Sequence, residues 1–182
     1  MKKFYFVLCA LFVALGANAQ TLSISTNIAD YMAGGTLNME ASWGFARHWS
    51  VSAGGKYNPF AYGDAERGFQ LKQRSFSAGA RWWPWHIYSG WWMGARLRYQ
   101  EFSEGGIWDG RTAEGDRYGG ALTAGYSRML GKHFNLDFGV GLWAGYSVYD
   151  VYACRTCGRR LESGRKAFLL PEEVLIGINY IF

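Results

Sequence analysis

Hydrophobic and polar residues alternate along most of this chain with a period of two. The stretch TLNMEASWGF places Leu37, Met39, Ala41, Trp43 and Phe45 on one face, with polar or small residues between them. The later stretch FNLDFGVGLWAGY repeats the pattern with the same regularity. Alternation over such lengths indicates β-strands whose two faces meet different environments, because a helix would repeat every 3.6 residues.

Eight segments of this kind follow one another. They lie at about 21–30, 36–45, 50–58, 75–83, 91–101, 119–128, 134–146 and 173–182. Their connections are short at 46–49, 84–90 and 130–133, and long at 59–74, 102–118 and 148–172, while YMAGG closes the first pair tightly. Strands of this length suit a tilted bilayer crossing, and short turns at one end with long loops at the other are typical of outer-membrane barrels. We therefore expect one all-β domain at 20–182, an eight-stranded antiparallel up-and-down transmembrane β-barrel.

The alternation alone fits two kinds of barrel, since a soluble lipocalin-like barrel would hide the apolar face and a membrane barrel would turn it to lipid. Composition favours the membrane. The residues between the apolar ones are mostly Ser and Gly, which suit a crowded interior better than a solvated surface. Aromatic residues also cluster at both strand ends, as in the girdles of membrane proteins. They are Trp43, Trp82, Trp85 and Trp91 at one end and Tyr57, Phe60, Tyr99, Phe102 and Tyr149 at the other.

The last residues, VLIGINYIF, make the strongest single segment of this pattern. Ile178, Tyr180 and Phe182 share one apolar face, and the chain ends on the aromatic ring. The barrel assembly machinery of outer membranes reads a last strand of alternating apolar residues ending in Phe. We therefore interpret these three residues as an assembly signal on a strand that closes the barrel against the first one.

The opposite face carries charges that must lie inside such a barrel. They are Glu40, Lys56, Arg81, Arg96, Arg98 and Asp137, with Gln100 beside them. Buried charges are paired or hydrated, so we expect an Arg–carboxylate network that fills the lumen. Eight strands enclose only enough room for side chains. A structural network is therefore favoured over a conducting path, and no open pore is expected.

The first nineteen residues have the features of a cleaved signal peptide. Lys2 and Lys3 precede an apolar run, and Ala17-Asn18-Ala19 provides small residues at the cleavage site. A transmembrane anchor is the alternative, but the run is short for a span. Cleavage lowers the net charge of +5 by two, and the basic residues are scattered, so no nucleic-acid partner is expected. The predicted location is the outer membrane, with its lipid as a partner.

The motif YACRTCGRR contains the two cysteines that follow the signal peptide, Cys154 and Cys157. Such a pair could be redox-active, could bind zinc or could form a small disulfide. A zinc site needs four ligands, whereas the three histidines fall in turns at the opposite end of the predicted barrel. A redox-active pair would need a thioredoxin-like setting, which is absent. We interpret the pair as a disulfide that stiffens a long external loop. Basic residues in this loop could meet lipopolysaccharide or glycan, although a solvated charged loop is the simpler interpretation.

Hydrolytic chemistry at the outer leaflet would need His or Asp/His groups near the long loops. No His lies there, so we predict a protein that is not an enzyme and has no catalytic residues, cofactor or metal site. An outer-leaflet lipid-modifying enzyme and a soluble periplasmic barrel that binds an apolar ligand remain the alternatives.

Three stretches, RWWPWHIYSGWWMGARL, EGDRYGGALTAGYSRMLGKHFNLDFGVG and YACRTCGRRLESG, resemble a family of small secreted proteins from Bacteroides-type bacteria that is classed as a domain of unknown function. The resemblance extends from about Leu22 to Phe182 and includes YNPF. It implies an outer-membrane barrel, and members are sometimes associated with fimbrillin-type adhesin gene clusters. It implies no catalytic residues. We therefore expect external loops that contact a surface partner, such as an adhesin or fimbrial component, a glycan or lipopolysaccharide.

Overall fold

The computed structural model describes residues 22–63, 69–105, 110–154 and 158–182, which form nine strands and one short helix. The predicted signal peptide at 1–19 lies outside the described residues. Within the described part of the chain, no helix is both long enough and apolar enough to cross a membrane. In chain order the elements are β1 (Leu22–Asn27), α1 (Ile28–Met32), β2 (Leu37–Ala46), β3 (Trp49–Asn58), β4 (Ala61–Tyr62), β5 (Phe69–Trp82), β6 (Gly90–Gly105), β7 (Thr112–Met129), β8 (Phe134–Tyr152) and β9 (Arg160–Ile181).

The strands form one antiparallel sheet whose hydrogen bonding returns to its starting point through eight strands. The order is β3-β2-β1-β9-β8-β7-β6-β5, and pairing of β3 with β5 closes the ring. The first and last strands meet at Ser23 and Ile181, while Ser52 faces Gly79 where β3 joins β5. The ninth strand, β4, pairs with β5 outside this cycle. The prediction of an all-β, antiparallel fold is confirmed.

The two faces of the ring differ as sharply as the sequence pattern does. On β8, Phe138 and Val140 are 44% and 64% exposed, whereas the alternating Asn135 and Asp137 are 0% and 2% exposed. Large apolar side chains thus cover the outside of the ring, and polar side chains fill its interior. In most soluble proteins apolar side chains are buried and charged side chains are exposed, so the distribution here is reversed.

The strands extend beyond the predicted ones into all three predicted long loops, and in the loop expected at 59–74 β4 occupies Ala61–Tyr62 and β5 begins at Phe69. β6 has 16 residues, β7 has 18, β8 has 19 and β9 has 22. The expected loops at 102–118 and 148–172 are therefore largely long hairpins. Next to β9 in the ring, β1 ends at Asn27, where the side chain of Asn27 caps the short α1 that the alternation did not predict.

Aromatic residues close the interior at the end with the short turns. Trp83 is fully buried and packs edge-on against Tyr88, with ring centroids 5.7 Å apart. Trp92 lies beside Trp83 at 6.2 Å, and the Trp83 indole donates a 3.0 Å hydrogen bond to Ser50 Oγ. Burial raises the pKa of the Tyr88 hydroxyl, which lies 3.3 Å from Ser42 Oγ. The interior therefore ends in a packed aromatic cluster at this side.

Two residues of the predicted aromatic girdles, Phe102 and Tyr149, lie on the inward face of their strands instead, and Tyr149 alternates with the buried Ser147. Phe102 was expected on the outside of the strand ends, but it is only 5% exposed and lies under the guanidinium of Arg117, with 3.6 Å from Cζ to the ring centroid. Its position three residues after the outward Tyr99 puts it on the opposite face of β6, so the strand alternation explains the difference.

Candidate functional site

The ring interior contains a cluster of charged side chains whose ion pairs and hydrogen bonds connect most of the strands. The six charged residues expected inside the ring are all there, and so is Gln100, which is 6% exposed. Because inward-facing residues alternate along each strand, the cluster needs no special local backbone in β2, β3, β5, β6 or β8. Three further carboxylates that the sequence pattern did not single out join it, and they are Asp30, Glu172 and Glu173.

Glu40 on β2 is the carboxylate shared by two arginines. Arg81 Nη2 lies 2.6 Å from Glu40 Oε1, and Arg96 Nη1 lies 3.3 Å from Glu40 Oε2. Arg81 continues to β8, since its Nη1 is 3.6 Å from Asp137 Oδ2, and Asp137 accepts a 2.6 Å hydrogen bond from Ser127 Oγ on β7. Five strands are therefore joined through one chain of charge-assisted contacts.

A second branch starts from the same Arg96 and runs towards α1. Arg96 Nη1 is 3.3 Å from Glu173 Oε1, and Arg96 Nε is 3.5 Å from Glu172 Oε1. Glu173 also binds Lys56 Nζ at 3.0 Å, and Lys56 reaches Asp30 on α1 at 2.7 Å. Three cationic side chains among the described residues, Lys56, Arg81 and Arg96, thus contact five carboxylates, where the sequence had suggested only two.

A β-bulge explains why two neighbouring glutamates both point inward. Val140 faces Val174 and Leu142 faces Pro171, so one residue of β8 lies opposite two of β9, Glu172 and Glu173. A bulge of this kind places consecutive side chains on one side of the sheet. Counting back by twos from the inward Asn179 reaches Glu173, so the alternation could have predicted that residue. No sequence signal marks the bulge that adds Glu172.

Aromatic rings flank the cluster on two sides. The guanidinium of Arg98 lies 4.8 Å above the ring of Trp143, and its Nη1 donates to the carbonyl of Glu172 at 3.2 Å. Arg81 lies 4.5 Å above the ring of Trp92. The contact of Arg81 with Trp92 joins the charged residues to the aromatic cluster at the end with the short turns, and such cation–π contacts are stronger when water is excluded.

Little space remains between the charged side chains of this cluster. The cavity among Glu40, Lys56, Arg81, Arg96 and Glu173 holds about 30 Å³, which is room for one or two water molecules. Within the described residues, no group of three or more His, Cys, Asp or Glu side chains could hold a metal ion. The contacts of the charged cluster link side chains from several strands across the interior.

A larger depression lies on the outer side, where the apolar surface gives way to charged residues. It has a volume of about 630 Å³ and a mixed lining that includes Lys72, Arg74, Glu101, Glu114 and Asp116. Two of these charges face each other, since Arg74 Nη1 is 3.5 Å from Glu101 Oε2. Both signs of charge are present, so the depression has no clear preference for an anion or a cation.

The remaining predicted residues lie at the two ends of the chain's last hairpin. Phe182 donates its backbone N–H to the carbonyl of Leu22 at 3.0 Å, and its ring packs 5.0 Å from that of Tyr180. Ile178 is 40% exposed on the same outer face. Cys154 lies in a bend directly after β8, whereas Cys157 lies outside the described residues, so the disulfide remains a prediction.

The chain belongs to a family described as proteins of unknown function, DUF3575, whose model matches residues 4–182. No curated protein and no solved structure matches the chain. Family membership therefore covers the whole ring of strands and assigns no activity to its interior.

Proposed function

We propose that this family member is a non-enzymatic outer-membrane protein whose eight ring strands form a transmembrane β-barrel with a plugged lumen. Its long hairpins would lie outside the cell and contact a surface partner, either an adhesin or fimbrial component, a glycan or lipopolysaccharide. Export would depend on the predicted signal peptide at 1–19, and insertion on the barrel assembly machinery.

The observation that carries this proposal is the apolar outer surface around a charged interior. Leu97 and Leu122, at mid-height on β6 and β7, are 72% and 71% exposed. On β6 the outward apolar positions run from Trp91 to Tyr99, nine residues, which is the number that a tilted strand needs to cross a bilayer. Water would make so much exposed apolar surface costly, whereas hydrocarbon would not.

Polar groups appear on the outer face just where this apolar span ends. The Tyr99 hydroxyl donates to Asp116 Oδ1 at 2.9 Å, and Glu101 follows as the next outward residue of β6. Aromatic residues with a polar tip are typical of the membrane–water interface. The resemblance to outer-membrane proteins of Bacteroides-type bacteria agrees with this placement.

A soluble periplasmic barrel that binds an apolar ligand is less well supported. Such a barrel needs an apolar cavity, whereas the interior here is lined with arginines and carboxylates and holds about 30 Å³ of free space among them. No described side-chain arrangement favours the third alternative, a lipid-modifying enzyme.

The external partner is proposed from charge. The β8–β9 hairpin exposes Arg159, Arg160, Arg165 and Lys166, and Arg160 Nη1 is 3.6 Å from Asp150 Oδ2. A cluster of basic side chains above the bilayer would attract anionic groups on a neighbouring protein, glycan or lipid.

Cell fractionation with one matched pair of variants tests the membrane proposal. We expect the wild-type chain in the outer-membrane fraction, extracted only by detergent and migrating faster on gels when unheated. Leu122→Arg should destabilise the folded chain by about 2–4 kcal/mol, because it puts a charge at the bilayer midplane, and Leu130→Arg beside the turn should cost about 0–1 kcal/mol. Release of the wild-type chain by osmotic shock, or equal tolerance of the two variants, would contradict the proposal.

A further inference from the structure

One strand of the ring continues well past its neighbour. The β1–β9 ladder ends where Asn27 faces Gly177, although β9 extends back to Arg160. The side chain of Asn27 finishes this ladder, since its Nδ2 donates to the Val174 carbonyl at 3.1 Å and its Oδ1 accepts from Ile176 N at 3.0 Å. Before that point β9 pairs with β8 alone, so the described residues leave its other edge uncovered.

The opposite edge of the same extension is covered differently. β4 pairs with β5 through Ala61 and Gln70, and Pro59 precedes it. Proteins commonly protect sheet edges with short strands, prolines or charges, because an open edge can pair with another chain. The extension therefore has one protected edge and one open edge.

The register shows which backbone groups of β9 point away from β8, towards the open edge of the sheet. The backbone N–H of Leu130 donates to the carbonyl of Phe134 across the β7–β8 turn. Because bonded pairs alternate along an antiparallel ladder, the backbone groups of even-numbered residues of β8 bond to β7 and those of odd-numbered residues bond to β9. Trp143 lies opposite Leu170 and Tyr149 lies opposite Gly164, so even-numbered residues of β9 bond to β8.

The remaining backbone groups point away from β8. They belong to the odd-numbered residues between the two bulges of β9, which are Ser163, Arg165, Ala167 and Leu169. Pro171 follows in the same alternation, at a position where its missing N–H removes no bond to β8. About eight residues of extended backbone are thus available for pairing.

Side chains at this edge give it a chemical preference. Arg165 and Leu169 are four residues apart on the outer face, and Leu169 is 69% exposed. On the other face Lys166 and Glu162 already contact Tyr149, with Lys166 Nζ 4.8 Å from its ring centroid and the hydroxyl 3.2 Å from Glu162 Oε1. The outer face therefore presents one exposed cation and one exposed aliphatic side chain.

We propose that residues 163–170 of β9 bind an extended segment of a partner protein by strand addition. The segment carries an acidic residue opposite Arg165 and an apolar residue four positions away, opposite Leu169. Backbone hydrogen bonds supply affinity in this mode, and side chains on alternate positions supply specificity. The inference rests on the proposed function, because the edge is accessible only if this part of the hairpin lies outside the bilayer.

The test uses the purified full chain in detergent micelles and a labelled eleven-residue threonine peptide with glutamate in the middle and leucine four positions to either side. This peptide fits the edge in either direction. Residue-resolved amide hydrogen exchange should slow at Ser163, Arg165, Ala167 and Leu169 when the peptide is added. Exchange at Gly164, Lys166 and Phe168, which already bond to β8, should not change. The alternation distinguishes strand addition from any looser contact.

Charge reversal tests the side-chain preference. Replacing the peptide's glutamate with lysine should weaken binding about tenfold, and Arg165→Glu should reverse the preference between the two peptides. Arg128→Glu, an exposed arginine at the other end of the ring, is the matched control and should change nothing.

A backbone variant tests the hydrogen bonds themselves. Ala167→Pro removes one N–H at the open edge and should weaken binding by about fivefold to tenfold, as expected for the loss of one hydrogen bond. If the variant migrates on unheated gels as an unfolded chain, Ser163→Pro replaces it. Binding that depends on Arg165 but leaves exchange at the odd-numbered residues unchanged would overturn the inference, and so would failure of the folded chain to bind either peptide. Either result leaves the membrane proposal standing, because that proposal is tested by fractionation.

Discussion

At the residue scale, Glu40 shows what a buried carboxylate contributes inside the ring. It bonds Arg81 at 2.6 Å and Arg96 at 3.3 Å, and both arginines are at most 7% exposed. Burying such groups is costly, so the complete network need not stabilise the fold relative to an apolar core. Removing one member is different, because it leaves its partners charged and without compensation.

Glu40→Gln should therefore lower the free energy of unfolding by about 3–5 kcal/mol, the usual cost of breaking a buried pair. The amide keeps the shape of the side chain but cannot neutralise two guanidinium groups. Urea unfolding of the chain in lipid vesicles, followed by tryptophan fluorescence, measures the change.

The control for this variant is Glu101→Gln, which removes a carboxylate from an ion pair on the outer face. The side chain of Glu101 is 46% exposed and 3.5 Å from Arg74, so its loss should cost no more than about 1 kcal/mol. Equal losses in the two variants would show that burial of the network does not matter to stability.

At the scale of elements, inward-facing glycines allow neighbouring strands and side chains to pack closely against one another. A Cβ added to Gly125 on β7 would lie 2.2 Å from the Phe138 carbonyl and 2.5 Å from Trp92 Cζ2. Trp92 is 1% exposed and has no room to move. Gly120, five residues earlier on the same strand, faces outward, and the nearest atom to its added Cβ is Arg96 O at 4.0 Å.

Gly125→Ala should destabilise the folded chain by about 1–3 kcal/mol or more through overpacking, whereas Gly120→Ala should change stability by less than about 1 kcal/mol. The fraction that migrates as folded protein on unheated gels, measured against temperature, gives the comparison. A loss of stability at Gly120 as large as that at Gly125 would contradict the assignment of the two faces.

The elements also show how far the sequence could predict this architecture. Alternation predicted the strands where each face has a uniform environment, as in Phe134–Tyr146. It failed in the hairpin extensions, because both faces of β9 around Arg165 are exposed and no alternation of polarity is required there. Register-breaking features were also unpredictable, since neither the bulge at Glu172 nor the inward reach of Asp30 from α1 leaves a periodic signal.

At the scale of the whole molecule, the ring closes through the two ends of the described chain. The Phe182 backbone bonds to Leu22, while Tyr180 packs against Phe182 and against Phe134 on β8, with ring centroids 5.0 and 5.1 Å apart. Among the described residues, closure removes the sheet edges of the eight-strand ring, and an open edge is left where β9 extends beyond β1. The last residue thus has a structural role in the ring and, under the proposed function, a separate role as an assembly signal.

These two roles can be separated with Phe182→Asp. The substitution keeps the backbone bond to Leu22, so the purified chain should refold into lipid vesicles with a stability within about 1 kcal/mol of the wild type, as for most surface changes. In cells the amount of folded chain in the outer membrane should fall sharply, because the aromatic end would no longer be recognised. Phe45→Asp is the control, since Phe45 is 52% exposed near the same turns but lies within the chain. If the amount of folded chain in the membrane falls equally for Phe182→Asp and Phe45→Asp, aromatic residues near the short turns are needed in general and the chain end carries no signal.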